Sequence, residues 1–402
     1  MYPCVVTGES PLFAGKRIER ACSSTRALRY DSAAMTSHFR KDDPYIGWGI
    51  ALSVVLFLLY VYPGFLIPVS SHFDGSCKTI PLEQNAEDLR VDPANGLVYL
   101  TYGTGAIGGA GTVMLVDLNA AEPHVRAALS TEPERFSPSG LSLYTPATGA
   151  KRLFVTSRTQ LGNHAVVIFD QSSTGAFAPV ETIRDPLLWS PTAIVAVGPR
   201  QFYVVNQLGF KRAYNGDKAN LGDRLRGNES TVVYYDGEQM KIVAGRLGLA
   251  AGIALSPDGQ KVYVAESARG QIAVFNRDPA DGALTRAGQV RTPGGSPHNI
   301  TADADGMLWV GAHPRAIEFT QFVLDDDYRA PTQVLKINPA AAPEKQVEEI
   351  YSNDGDELSG GTVAAPRKGG EFVVGSRTDH KLLMCTRPTD AKPAPAEASK
   401  QT

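Results

Sequence analysis

After residue 85 the chain repeats one phrase six times: a small or polar residue, an apolar step, a turn of Pro, Asp or Gly, and a second apolar run. The copies read AEDLRVDPANGLVYLTYG from Ala86, SPSGLSLYTPATGAKRLFVTS from Ser137, SPTAIVAVGPRQFYVVN from Ser190, AAGIALSPDGQKVYVAES from Ala250, SPHNITADADGMLWVGAH from Ser296 and SGGTVAAPRKGGEFVVGS from Ser359. Alternating apolar residues on either side of such turns read as paired strands. A unit of roughly 50 residues cannot bury both faces of its sheet until neighbours stack on it, so the repeat implies a radial array of blades. A third strand is visible from Thr112 (TVMLVDL), Ala165 (AVVIFD), Thr231 (TVVYYDG), Gln271 (QIAVFN) and Gln333 (QVLKIN). No stretch after residue 70 keeps a 3.6-residue period, so no helix is expected there. The expected fold is all-β, a six-bladed β-propeller over residues 77–388 in one domain, preceded by a transmembrane helix.

Residues 46 to 62, IGWGIALSVVLFLLYVY, are uncharged and apolar, and PGFLIP extends them to residue 67. That approaches bilayer-spanning length, so residues 46–67 read as a retained signal anchor; a cleaved signal peptide is the alternative, but no AxA-like site is present. Arg26, Arg29, Arg40 and Lys41 precede the segment and Lys78 follows it. The positive-inside rule then places residues 1–45 in the cytosol and the propeller in the secretory lumen or outside, the topology of a single-pass type II membrane protein. Met35 is a second possible start, with the same orientation. Residues 389–402 lack an apolar pattern and read as a disordered tail. A net charge of -3 gives no footprint for nucleic acid.

Cys77 opens a strand-like segment ahead of the first blade and Cys385 sits in KLLMC, at the end of the last. An N-terminal strand that completes the final blade would bring them together as a disulfide; two unrelated buried thiols are the alternative. Asn228, in NES, is a glycosylation sequon on a polar connection.

The residues opening each first strand crowd the propeller axis: Glu87 and Asp88, Ser139, Thr192 and Ala193, Ala251, His298 and Asn299, and Gly361. Here the chain resembles the serum paraoxonase/arylesterase family, calcium-dependent lactonases and esterases with six-bladed propellers. The resemblance rests on AEDLRV, GTVMLVDLN, FSPSGLSLY, ETIRDPLL, IVAVGPRQFY, GIALSPDGQKVYVAE, NITADADGMLWVGAHP, GGTVA and HKLLMC. A looser similarity is to the adipocyte plasma membrane-associated protein and to other SMP-30/gluconolactonase-like propellers. The family's closing disulfide falls on Cys77 and Cys385. Its calcium is held by a Glu beside an Asp in blade one, by Asn in blades three and four, and by an Asp-Asn pair in blade five. Glu87, Asp88 and Asn299 match, whereas Thr192, Ala251 and His298 replace the rest, and Ala193 stands where an Asp helps a second, structural calcium. The family's His dyad falls on Ser139 and Arg158, and His313 matches a site-lining His.

Calcium takes six to eight oxygens, so losing three ligands argues against tight calcium, while the nitrogen of His298 suits another divalent metal such as zinc. The implied function is hydrolysis of an ester or lactone at the channel. A metal (Glu87, Asp88, Asn299) or the His298/Glu87 pair would activate water, His313 would be a second candidate base, and Ser139, Arg158 and Thr192 would line the substrate. Each has a structural reading too: Glu87 and Asp88 as partners of strand-end amides, His298 as an axial plug, Arg158 as a solvated rim charge. With those, the chain would be a non-enzymatic lumenal binding or scaffold propeller that has lost its metal.

Overall fold

The structure, a computed structural model, describes residues 44–61, 69–103, 108–146, 149–159, 163–209, 229–325 and 327–388. Asn228, residues 1–43 and the tail 389–402 therefore lie outside the described residues. The chain divides into two units, Met1–Val61 and Tyr62–Thr402.

The described residues of the first unit form one helix, Pro44–Val61, of 18 residues. At 1.5 Å per residue it is about 27 Å long, against the ~30 Å of a hydrocarbon core. Every residue from 47 to 57 is exposed, Trp48, Leu52 and Phe57 among them. Among the described residues no helix is long and apolar enough to cross a membrane; the rest of the expected span, 62–67, lies outside those residues.

The second unit is a ring of six four-stranded antiparallel sheets. Blade one is Leu89–Val91, Leu97–Gly103, Gly111–Asp117 and Val125–Ala127. Blade two is Pro138–Tyr144, Arg152–Ser157, Ala165–Gln171 and Phe177–Ile183. Blade three is Pro191–Ala196, Phe202–Asn206, Ser230–Tyr235 and Met240–Leu247. Blade four is Ala250–Leu255, Lys261–Glu266, Gln271–Arg277 and Leu284–Arg291. Blade five is Ser296–Ala302, Leu308–His313, Thr332–Ile337 and Val347–Asn353. Blade six takes Gly361–Pro366, Glu371–Ser376 and Lys381–Thr386 from the end of the chain and Ser76–Pro81 from its beginning.

First strands pack against first strands around the ring, which makes them the inner ones. Their hairpins close on the expected turns: in SPDG, Asp258 accepts the Gln260 N–H and Gly259 adopts a φ of 70°, a left-handed conformation that Gly reaches without strain. Apolar side chains interdigitate between sheets, so that Leu89, Val98 and Leu100 of blade one share a buried cluster with Val363 and Val373 of blade six. At about 25 cal/mol per Å², these inter-blade faces supply the ring's main stabilisation.

Among the described residues of the propeller, one α-helix and three single-turn 3-10 segments depart from the all-strand expectation. Ala316–Leu324 is a nine-residue helix between the second and third strands of blade five, with Phe319 and Phe322 buried. Its sequence, AIEFTQFVL, covers too few turns for a helical period to stand out.

The ring closes where Ser76–Pro81 pairs antiparallel with Lys381–Thr386, Cys77 opposite Cys385. The two cysteines form a disulfide, with Cα atoms 4.0 Å apart and a sequence separation of 308. We expect Cys77→Ala to lower unfolding free energy by about 5–6 kcal/mol, the chain-entropy value for so long a loop. Denaturant titration with and without reductant checks this: the variant should match the reduced wild type, and equal stability of the variant and oxidised wild type would show that the bond carries no constraint.

Candidate functional site

The inner strands of blades two to six share one irregularity at their entry. Their ladders shift register between Pro138 and Leu141, Pro191 and Ala193, Ala250 and Gly252, Pro297 and Ile300, and Gly361 and Val363. A bulge takes a residue out of the ladder and re-aims its side chain. The displaced residues are Ser139 with Gly140, Thr192, Ala251, His298 with Asn299, and Thr362, so the bulges fall on the nominated axial positions, with Thr362 in place of Gly361. Gly252 has no room for more: a Cβ there would collide with the His298 carbonyl of the next blade.

Several of these side chains join blade to blade. Asn299 Nδ2 and Thr362 Oγ1 both donate to the Glu87 carbonyl oxygen, at 2.9 and 2.8 Å, tying blades five and six to blade one. Ser139 Oγ donates to the Thr192 carbonyl at 3.3 Å. Asp88 is fully buried: Oδ1 accepts the Arg90 guanidinium at 2.5 Å and the Leu89 N–H at 3.0 Å, and Oδ2 accepts the Leu141 N–H of blade two at 3.0 Å. Burial raises its pKa, with Arg90 and the Leu141 amide pulling the other way. His298 and His313 are both buried, with rings 5.5 Å apart edge to face, and Phe319 of the short helix stacks on His313 at 3.5 Å. Ala251 is buried and brings no polar side-chain atom.

The chemistry at the mouth lies beside these ties. Glu87, Ser139, Arg158 and Arg377 line one pocket, with Asn85 and Tyr102. Arg377 Nη1 donates to Glu87 Oε1 at 3.2 Å. Arg158 is 6% exposed, and among the described residues its guanidinium makes no ion pair, with Nε buried and unpartnered. Burial lowers its pKa to about 10; Arg377 adds to the fall and Glu87 opposes it. His164 stands close enough to feel that charge: burial first, and Arg158 second, lower its pKa to about 4, so it is neutral at physiological pH.

Sequence reasoning nominated Arg158 and missed Arg377 and His164. The signal for Arg377 is present in the repeat. Arg158 follows the second strand of blade two as Ser157-Arg158-Thr159, and Arg377 follows that of blade six as Ser376-Arg377-Thr378. The two cations occupy the same slot in different blades.

The donor set does not suit a divalent cation. Asp88 has both oxygens occupied, Glu87 already faces Arg377, and Arg158 adds a second positive charge to the pocket. Among the described residues no group of three or more His, Cys, Asp or Glu is placed to hold a metal.

A closed ring with polar residues gathered at the openings of its inner strands is a propeller with an axial site. The arylesterase family model matches residues 76–387, and the chain belongs to that family. It is 31% identical to human serum paraoxonase/arylesterase 1 over 319 residues, covering 76% of this chain and 86% of that protein. Serum paraoxonase/arylesterase 2 of Rattus norvegicus is 29% identical over 301 residues, 72% of this chain and 83% of the relative. Among solved structures a luciferin-regenerating enzyme aligns with a TM-score of 0.51 at 12% identity, over 78% of this chain and 95% of its own; that likeness shows the fold.

The His164 environment predicts an acid-side instability. Its folded pKa lies near 4 and the ordinary value is 6.5, so between these the unfolded chain binds a proton that the fold excludes. Stability is then complete above about pH 6.5 and falls as pH drops toward 4, by at most about 3 kcal/mol. Denaturation midpoints measured across that window should slope downward on acidification, and His164→Gln should flatten the slope; an unchanged slope would place the titration elsewhere.

Proposed function

We propose that the chain is a membrane-anchored hydrolase of esters or lactones, working at the channel mouth with its own charged side chains. The observation behind this reading is that Glu87, Arg158 and Arg377 line one pocket in a chain of the arylesterase family. Glu87 is the general base: it takes a proton from water as the water oxygen attacks the carbonyl carbon. The Arg377 guanidinium faces the oxygen on which negative charge builds. The acyl–oxygen bond then breaks and the departing oxygen takes the proton, leaving an acid and an alcohol, or a hydroxy acid from a lactone. Asn299 and Thr362 position Glu87 by holding its carbonyl. Ser139 lines the same pocket and Thr192 accepts its hydroxyl, so both shape the substrate wall. His298 and His313 pack with Phe319 in blade five and take no step in this scheme. No step passes through calcium or another metal.

The anchor is residues 46–67, with the propeller in the secretory lumen or outside. In support, the helix Pro44–Val61 is apolar on all faces and exposed from 47 to 57, which suits lipid, and the basic residues precede it. One observation favours a second reading, a binding propeller without turnover: Asp88, Ser139 and Asn299 are engaged in hydrogen bonds between blades.

On a panel of esters and lactones, Glu87→Gln should lower kcat/KM by about 100-fold or more, His298→Ala by less, and chelators should have no effect. Activity lost with chelator would bring the metal back, and a wild type inert on the whole panel would favour the binding reading. For topology, the region after Ser70 in intact microsomes should resist protease and carry glycan at Asn228; digestion from the cytosolic side would reverse the orientation.

A further inference from the structure

The mouth pocket holds more positive than negative charge. Two guanidinium groups, Arg158 and Arg377, and one carboxylate, Glu87, line it. Arg377 already donates to Glu87, which leaves Arg158 as a buried cation with no ion-pair partner among the described residues and an unsatisfied Nε. A desolvated charge left in that state is costly, and such groups are retained where a ligand supplies the missing counter-charge. With its pKa near 10, Arg158 still carries its proton at physiological pH. The arrangement also recurs by design of the repeat: each arginine extends from the end of a second strand in a Ser-Arg-Thr phrase, and the seam of the ring brings blades one, two and six around one pocket.

We infer that this pocket binds a carboxylate, and that the ester or lactone turned over there carries a free carboxylate group. Two cations and one anion leave a single net positive charge, which matches a monoanion and not a phosphate dianion. A guanidinium fork pairs with the two oxygens of a carboxylate in one plane, a geometry that an ammonium group does not offer. Gly111 lines the same pocket, and a Cβ there would collide with the Tyr102 carbonyl and with Pro138, so this part of the wall is bare backbone. The substrate assignment rests on the hydrolase reading; carboxylate binding does not.

The test separates the two. With the full chain in detergent, calorimetry against butyrate, butyramide and inorganic phosphate reads binding, and hydrolysis of monomethyl against dimethyl succinate reads turnover. Butyrate should bind and butyramide should not, with Arg158→Gln weakening butyrate by about tenfold or more. Arg158→Lys, which keeps the charge, should lose part of that affinity and serves if the Gln variant does not fold. Monomethyl succinate should be the better substrate, and its advantage should vanish in the Arg158 variants. Butyrate binding with neither ester hydrolysed would sustain the carboxylate site and defeat only the hydrolase reading. No butyrate binding, equal binding by Arg158→Gln, or tighter binding of phosphate would overturn the inference.

Discussion

A ring of blades has one seam, and the axial site of this protein exists only while that seam is shut. Blade six is assembled from both ends of the chain, with Ser76–Pro81 laid against Lys381–Thr386 and Cys77 bonded to Cys385. The closure sets Glu87 of blade one against Thr362 and Arg377 of blade six, residues 275 and 290 positions away in sequence. Local structure could not hold such contacts, because the entropy of closing so long a loop must be met before they form. Seam and site are therefore one cooperative unit.

Around the axis the labour is divided by position in the strand. The bulged entries of the inner strands carry short polar groups, and several of these bridge to the backbone of another blade, as Ser139 does to Thr192 and Asn299 to Glu87. The positive charge of the pocket sits one strand further out, on the ends of the second strands, where Arg158 and Arg377 reach it. Asp88 shows the same economy of polar groups: a carboxylate taken out of water is matched by Arg90 and two backbone amides, which is what keeps its burial tolerable. The charge at this mouth, two guanidinium groups against one carboxylate, has the opposite balance from one built around a cation.

The blades and the seam are legible in the sequence because each repeat carries its own turn chemistry, and SPDG or DADG fixes a hairpin locally. The helix Ala316–Leu324 is not, since nine residues complete too few turns to declare a period. The axial openers are legible as positions and illegible as roles. Whether Asn299 faces a ligand or a neighbouring carbonyl depends on a register shift between Pro297 and Ile300, which no residue type announces. Arg377 escapes notice for a different reason. Aligning the repeats on their first strands highlights Glu87 and Asn299, while the matching Ser-Arg-Thr phrases come into line only when the second strands are compared.

The placement of the disulfide also decides how the ring answers to force. Upstream of the seam, His72 pairs with Ser352 and Phe73 packs on Tyr351 and Phe372. A pull on the chain from the N-terminal side would peel these residues away first and then meet Cys77, the second residue of its strand. From there tension passes through sulfur into Cys385, bypassing the pairs from Lys78 to Pro81. The strand behind the bond stays unstressed, so tugging at a tether would stretch a short leash without prising open the wheel.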